Sequence, residues 1–430
     1  MPPDSRSAVT AAPTSGTRAI AAACVGNMLE WYDFIVFSTF AVQISHAFFP
    51  SKDPFISLLA TLLTFGVGFL ARPLGAVILG GYADKAGRRA ALTLTILMMA
   101  FGTALIAVCP SYSAIGAAAP LLLVVARLIQ GVSAGGEIGG ALAMLVEYAA
   151  PPRRAYIAAF QQLAQGGAFL LCGLLASFVT SVYASDEVNR WAWRLPFLFG
   201  IVVAPIGFYI RKRVVDPLLF SEHTKEAAHL TPVKQVLQQH WRDIAIGIGT
   251  VIAWTVSTYV TLFMPTYAFK TLGIPQANAY LALFVVGVIV MMCPLAGKLA
   301  DRYSRKSIML LAAIGLALYS YPAFLYLTRH PTGTTLIALQ CGLALLMTLY
   351  TGPASALLAE LFPTRVRSTG IAITYGFAVA IFGGFTPAII SALVNYTGNK
   401  LSIALWLTAA SLISCVALIF VKDRSRQELD

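Results

Sequence analysis

Residues 80–89 read GGYADKAGRR, and residues 297–306 read GKLADRYSRK. Both stretches fit the pattern GxxADxxxR followed by a second basic residue, and each joins two long apolar segments. A second pair of similar stretches, EYAAPPRR at 147–154 and ELFPTRVR at 360–367, follows further along the chain. The repeats predict that the chain consists of two similar halves, each with its own charged loop.

The composition is unlike that of a soluble globular domain. Of the 430 residues, 58% are hydrophobic and only 11% are charged, whereas soluble domains carry about 25% charged residues. Apolar runs of about twenty residues, long enough to cross a hydrocarbon core of about 30 Å, recur along the chain. Twelve such runs between residues 19 and 421 predict an all-α membrane protein with twelve transmembrane helices in two six-helix pseudo-repeats.

The distribution of basic residues predicts the orientation. With both termini on the cytoplasmic side, most of the 30 lysines and arginines fall in cytoplasmic segments, as the positive-inside rule requires. The net charge of +12 is therefore interpreted as an orientation signal and not as a nucleic-acid-binding surface. The predicted organisation is a disordered cytoplasmic tail without signal-peptide features at 1–18, a six-helix bundle at 19–212, a cytoplasmic loop at 213–242, a second bundle at 243–421 and a short cytoplasmic tail at 422–430.

The six cysteines lie within or at the ends of apolar segments and form no CxxC pair or Cys/His cluster. This placement predicts small packing residues, with no disulfide framework, no metal site and no cofactor. HExxH is absent, and no GxSxG occurs in a suitable context. We therefore expect no enzyme and no catalytic residues.

Five longer motifs resemble those of the major facilitator superfamily and, within it, the metabolite–proton symporter family. The first two are the loop at 80–89 and RLIQGVSAG at 127–135; the narrower three are GNMLEWYDF at 26–34, WAWRLPF at 191–197 and IFGGFTP at 381–387. The second loop departs from the pattern at Ser304, where the family usually has glycine. The resemblance implies the major facilitator fold, with a substrate site near the membrane midplane between the halves.

Ionisable side chains inside the predicted spans are candidates for function, since each costs about 2.5–3.5 kcal/mol to insert. Five such residues are present: Glu30, Asp33, Arg72, Arg127 and Glu137. The three acids are predicted to couple protons, and Glu30 and Asp33, three residues apart, should share one helix face. The two arginines are predicted to hold an anionic substrate, because a guanidinium matches a carboxylate in two-point contact. The alternative is a structural ion pair between an arginine and one of these acids.

Uncharged side chains complete the predicted substrate site. Gln161 and Gln165 are four residues apart and offer amide donors on one face of span 5, although helix–helix hydrogen bonding is an alternative role. Asn27, in the motif GNMLEWYDF, and Tyr259 and Tyr375, in the second half, are predicted to line the remaining walls.

The repeated loops are predicted to act as gates. The candidate gating residues are Gly80, Asp84, Gly87, Arg88, Asp301, Arg305, Glu360, Arg365 and Arg367. Asp84 can accept hydrogen bonds from the start of the following helix and from Arg365 or Arg367. Positive-inside charge alone would explain Arg88, but it would not explain the repeated aspartate and glycine.

These features predict a secondary transporter that imports a small organic anion by proton symport with alternating access. The family resemblance favours a tricarboxylate such as citrate or tricarballylate. Alternatives are symport of a dicarboxylate, of shikimate or of a zwitterionic osmolyte, and a drug–proton antiporter is disfavoured because span 5 lacks a GPxxGG pattern. The expected partners are the anion, protons and the lipid bilayer, with no nucleic acid. We expect a monomer in the bacterial inner membrane.

Overall fold

The computed structural model of the protein describes residues 13–86, 88–136, 142, 145, 146, 149–202, 205 and 232–423. The regular structure in these ranges is helical, without any β-strand. In the first half the helices are α1 Pro13–Thr39, α2 Ala41–Phe48, α3 Pro54–Leu70, α4 Arg72–Ala86, α5 Arg88–Val108, α6 Tyr112–Ile115, α7 Ala118–Gly135, α8 Arg154–Ala158, α9 Phe160–Val182 and α10 Ser185–Arg190.

The described part of the second half contains nine further α-helices. They are α11 Pro232–Gln239, α12 Trp241–Leu272, α13 Gln276–Val290, α14 Cys293–Arg302, α15 Arg305–Arg329, α16 Gly333–Glu360, α17 Arg367–Ala378, α18 Thr386–Thr397 and α19 Ser402–Phe420. Short 3-10 turns occupy Pro151–Arg153, Ala192–Arg194 and Thr364–Val366, and a π-helical turn occupies Val379–Gly384.

Nine helical segments within the described ranges are long and apolar enough to cross a membrane. Shorter apolar helices at Thr93–Val108 and Ala192–Val202, together with α1, occupy the other three predicted spans. Two described helices lie in segments that were predicted as a tail and a loop. The helix α1 includes Pro13 and thus extends into the predicted tail. The helix α11 lies inside the predicted central loop.

Local sequence signals account for several helix ends. Asp53 caps α3 by accepting a 2.8 Å hydrogen bond from Phe55 N, with Pro54 in the first turn. Gly273 ends α12 in the left-handed conformation at φ 70°, which glycine adopts without steric penalty. Ser304, the departure from the family loop, caps α15 by accepting from Ser307 N at 3.1 Å.

The two halves approach closely where α9 packs against α13. A methyl group on Gly166 would lie 2.6 Å from the backbone nitrogen of Met291, and one on Gly287 would lie 2.3 Å from that of Leu170. Small residues permit such backbone contact between membrane helices, whose association depends on close packing and interhelical hydrogen bonds. The helices that flank the centre of the molecule are therefore in direct contact across the two halves.

Further contacts join the halves on both sides of the centre. Near the end of α1, Ser38 Oγ donates to the carbonyl oxygen of Leu262 at 3.1 Å, and Phe40 packs against Tyr280 with ring centroids 5.8 Å apart. On the side of the repeated loops, Asp301 of the second half accepts hydrogen bonds from the first half. The two halves are thus in contact on both sides of the centre, and we call this set of contacts the closed arrangement.

Candidate functional site

The buried acids of α1 have partners on two different helices. Glu30 and Asp33 are 4% and 6% exposed. Arg72 Nη2 on α4 lies 3.3 Å from Glu30 Oε1, whereas the hydroxyl of Thr103 on α5 donates to Asp33 Oδ2 at 2.5 Å. Glu30 and Asp33 thus have different partners although they were predicted to lie on one helix face. Two different helices, α4 and α5, supply these partners.

Arg127 is completely buried on α7 and has an unusual set of contacts. Its Nη1 donates to Gln130 Oε1 at 2.8 Å, and its guanidinium lies 4.4 Å from the ring centroid of Phe37, 4.9 Å from that of Phe34 and 5.0 Å from that of Phe65. Among the described residues, its Nε and Nη2 have no hydrogen-bond acceptor and no carboxylate forms an ion pair with it. A buried cation is stabilised only in part by aromatic faces, so these two donors favour an additional anionic partner.

Arg72 shares the same aromatic surroundings. Its guanidinium lies 4.5 Å from the ring centroid of Phe69 and 4.9 Å from that of Phe34, so Phe34 contacts both arginines. The Arg72 Nε and Nη1 atoms also lack acceptors within the part of the chain that the structure describes. Two guanidinium groups with unused donors thus lie around one phenylalanine.

Tyr259, in the second half, packs against the aromatic side chains around the two arginines. Its ring is 5.2 Å from that of Phe69 and 6.2 Å from that of Trp31, and its buried hydroxyl has no partner among the described residues. The predicted wall residue Tyr375 packs against Trp254 with ring centroids 5.1 Å apart. The IFGGFTP motif forms the π-helical turn beside Tyr259, and a methyl group on Gly383 would lie 2.7 Å from the tyrosine ring. We call the cluster formed by Arg72, Arg127, Phe34, Phe69 and Tyr259 the central chamber.

The predicted amides lie at the start of span 5. Asn27 Nδ2 donates to the backbone carbonyl of Gln161 at 2.8 Å, which ties α1 to α9. Gln161 Oε1 and Gln165 Nε2 have no partners among the described residues, and neither does Oε1 of the buried Gln162. The sequence prediction omitted Gln162, as well as Thr103 and Gln130.

The side of the repeated loops holds an ionic cluster. Asp301 accepts from Ala155 N at 3.1 Å and from Tyr156 N at 2.8 Å, and Arg305 Nη2 lies 2.8 Å from Asp301 Oδ1. Glu360 pairs with Arg305 and, at 3.5 Å, with Arg154 of the first half.

Other predicted gate residues are only partly described. Arg367 Nε donates to the carbonyl of Ala359 at 3.0 Å. Glu137 and Gly87 lie outside the described residues, and so do the surroundings of Gly80 and the side chains of Asp84, Arg88 and Arg365.

Comparison with known proteins identifies the family of the chain. The family profile described as Major Facilitator Superfamily matches residues 23–320 and 276–429. The chain belongs to this superfamily. The predicted family and the predicted all-helical major facilitator fold are confirmed.

Relatives of this major facilitator protein are bacterial transporters. The citrate-proton symporter of Klebsiella pneumoniae is 35% identical over 402 residues, which cover 93% of this chain and 90% of the relative. The proline/betaine transporter of Escherichia coli K12 is 30% identical over 424 residues, which cover 96% and 84%. A partially occluded inward-open structure of the E. coli xylose transporter matches with a TM-score of 0.75 at 18% identity, covering 97% of this chain and 100% of that one. As a major facilitator, this protein is a multi-pass membrane transporter.

One signal could have identified a residue that the sequence prediction omitted. Gln130 lies three residues after Arg127, a spacing that places the two side chains together on one helix face of the major facilitator motif RLIQGVSAG. Thr103 has no comparable signal, since hydroxyl groups are common in membrane helices.

Proposed function

We propose that the protein imports a small organic anion together with protons and that the leading substrate is a tricarboxylate such as citrate. The observation that carries this proposal is the guanidinium of Arg127, which is buried in the central chamber with two donors that lack acceptors. The similarity to citrate-proton symporters at 35% and 34% identity supports the choice of substrate class.

The charge balance of the central chamber favours an anion. Arg72 has a carboxylate partner in Glu30, whereas Arg127 is paired with the neutral amide of Gln130. A substrate carboxylate would supply charge-assisted acceptors for Arg127, and a polycarboxylate could reach Arg72 as well. Such bonds are about twice as strong as neutral ones, and Arg–carboxylate pairs also fix orientation.

Proton coupling is assigned to Glu30 and Asp33. When Glu30 binds a proton, its attraction for Arg72 weakens, and Arg72 becomes available to a carboxylate of the substrate. When the proton leaves, Glu30 competes for Arg72 and favours release of the substrate. This exchange links proton binding to anion binding without any direct contact between the proton and the substrate. Glu137 remains a third candidate from the sequence.

The ionic cluster on the loop side is assigned a gating role. Asp301, Glu360 and their partners Ala155, Tyr156 and Arg154 join the two halves only when that side is closed. Opening that side requires these bonds to break, so the cluster would set the balance between the two access states. We further propose that this side faces the cytoplasm, that both termini are cytoplasmic and that the protein works as a monomer in the bacterial inner membrane.

A zwitterionic osmolyte is the second candidate. The proline/betaine transporter is 30% identical to this chain, and Trp31 and Tyr259, whose rings are 6.2 Å apart, offer aromatic faces that suit a quaternary ammonium group. The two arginines weigh against this candidate, since they repel the cationic end of such a molecule.

Uptake into proteoliposomes tests both candidates. Labelled citrate, tricarballylate, 2-oxoglutarate and glycine betaine are supplied with an imposed pH gradient. We expect accumulation of a carboxylate in the wild type, loss of calorimetric binding in Arg127→Ala, and binding without accumulation in Asp33→Asn. Arg329→Ala, at an exposed arginine at the end of α15, is the matched control.

Three results would overturn parts of the proposal. Failure of every carboxylate to accumulate excludes anion symport, and accumulation of glycine betaine alone supports the second candidate. Unchanged affinity in Arg127→Ala would limit that arginine to a structural role.

A further inference from the structure

A continuous chain of hydrogen bonds joins Asp33 to Arg127. Arg127 Nη1 donates to Gln130 Oε1 at 2.8 Å, Gln130 Nε2 donates to Thr103 Oγ1 at 3.0 Å, and Thr103 Oγ1 donates to Asp33 Oδ2 at 2.5 Å. The chain crosses from α7 through α5 to α1, and all four side chains are at most 6% exposed. Asp33 and Arg127 are therefore linked through two neutral side chains.

We propose that Thr103 and Gln130 are positioning residues that transmit the protonation state of Asp33 to the guanidinium of Arg127. We call the four residues the relay. This inference rests on the proposed function for its transport consequence, but the hydrogen-bond linkage itself does not depend on the identity of the substrate.

The chemistry of the four groups fixes the direction of the relay. A guanidinium has donors only, so the oxygen of the Gln130 amide must face Arg127 and its nitrogen must face Thr103. The nitrogen donates, and Thr103 Oγ1 must therefore accept from Gln130. The single hydroxyl proton of Thr103 remains available for a second partner.

That hydroxyl proton has two acceptors within reach. Asp33 Oδ2 lies at 2.5 Å, and the backbone carbonyl of Met99, one turn earlier on α5, lies at 3.0 Å. An ionised Asp33 has only acceptors and takes the proton of Thr103. A protonated Asp33 can itself donate to Thr103 Oγ1, and the hydroxyl then turns to Met99. In both states Thr103 Oγ1 and Asp33 Oδ2 keep a hydrogen bond, so the bond between them can reverse without leaving either atom unpaired.

The reversal changes the electrostatic state of Arg127. With Asp33 ionised, each bond of the relay points toward the carboxylate, and the bonds polarise one another. With Asp33 protonated, that polarisation is lost, and the donors of Arg127 bind an anion in the central chamber more strongly. Proton binding at Asp33 thus favours substrate binding at Arg127.

Other charged groups do not replace this link. Around Asp33, Arg127 is the cation that interacts with it, while Arg72 on α4 pairs with Glu30. The nearby titratable groups on the packed helices are Tyr32, whose hydroxyl donates to the carbonyl of Pro196 at 2.7 Å, and Cys172, whose thiol faces Thr39. Among the described residues, Thr103 is the side chain that hydrogen-bonds to the Asp33 carboxylate.

The test is a double-mutant cycle with a readout that needs no substrate. Infrared difference spectra of purified protein follow the carboxyl protonation of Asp33 against pH, and Asp33→Asn identifies the band. Thr103→Val keeps the side-chain shape but removes a bond to the charged form, so the titration midpoint should rise by about one pH unit or more. Thr103→Ser restores the hydroxyl and should return the midpoint to near its wild-type value.

Gln130→Leu provides the decisive comparison because this residue does not touch Asp33. It should shift the Asp33 titration when Thr103 is present and leave it unchanged when Thr103→Val is present, since the relay is already broken. Equal shifts in both backgrounds, or no shift in either, would overturn the relay.

The proposed function is judged separately. Calorimetric binding of citrate to the wild type should strengthen as pH falls through the Asp33 midpoint, and this dependence should disappear in Thr103→Val. Absence of citrate binding in the wild type would count against the substrate, whereas the infrared cycle would still decide the relay.

Discussion

Replacement of Gly166 by alanine tests whether close contact between α9 and α13 is part of the transport cycle. The new methyl group would lie 2.6 Å from Met291 N, 2.9 Å from the carbonyl carbon of Val290 and 3.0 Å from the carbonyl oxygen of Gly287. Ordinary contacts begin at 3.4 Å, so the methyl is about 0.8 Å too close to the nearest atom. All three atoms belong to backbone, and no side-chain rotation can relieve the overlap.

The neighbouring glycine supplies a matched control. A methyl group on Gly167 would meet the side chain of Met28, with the thioether sulfur nearest at 3.3 Å, and methionine adjusts easily. Both substitutions gain about 0.5–1 kcal/mol of helix stability, because glycine is disfavoured inside a helix. Overpacking of a tight interface costs about 1–3 kcal/mol, and only Gly166→Ala incurs it.

The expected difference follows from these magnitudes. A penalty of about 1–3 kcal/mol on the closed arrangement lowers its population by about 5- to 150-fold. Because alternating access passes through a closed state, the initial rate of pH-driven uptake into proteoliposomes should fall by a similar factor in Gly166→Ala. Its thermal unfolding midpoint should also lie below that of Gly167→Ala. Uptake rates within twofold of each other and equal midpoints would refute the reasoning.

Two further predictions concern the loop side. Asp301→Asn removes a charged acceptor worth about 1.5–3 kcal/mol, so hydrogen exchange of the Ala155 and Tyr156 amides should accelerate at least tenfold. Asp243→Asn is the control, because among the described residues this carboxylate pairs only with His240. It should leave the exchange of the two amides unchanged. Equal exchange in both variants would contradict the contact between Asp301 and these amides. Ser304→Ala loses the helix cap and should destabilise the protein by about 1 kcal/mol in thermal unfolding, whereas Ser304→Gly loses only a few tenths. Unchanged stability in Ser304→Ala would show that the cap contributes nothing, whereas the bond from the hydroxyl to Asp423 is lost in both variants and does not affect their difference.

The sequence predicted the buried charges well because each one is expensive in an apolar segment. Arg72 and Arg127 stand out for that reason alone, and the structure places both beside the central chamber. The partners of the buried charges were harder to predict from the sequence. The spacing of Glu30 and Asp33 defines a helix face but not which helices pack against it, and that packing decides that one acid meets Arg72 and the other meets Thr103.

Thr103 shows why part of the candidate site could not be predicted. A threonine in a membrane helix normally donates to a carbonyl one turn earlier, and Thr103 has that partner in Met99. Nothing in the sequence distinguishes it from a threonine that only does this. Its second acceptor and its bond from Gln130 depend on the packing of α1, α5 and α7, which the residue pattern does not encode.

The contact between Asp301 and the start of α8 has a consequence for how this protein family can change over time. The aspartate binds the backbone N–H groups of Ala155 and Tyr156, so the two bonds do not depend on the chemistry of those side chains. A proline has no N–H and would remove one bond, although the first turn of a helix accepts proline. Mutation can therefore vary the half-buried residue 156 while position 301 is held fixed, whereas Ala155 is also constrained by its complete burial. Pairwise covariation between sequences would miss this contact for the same reason.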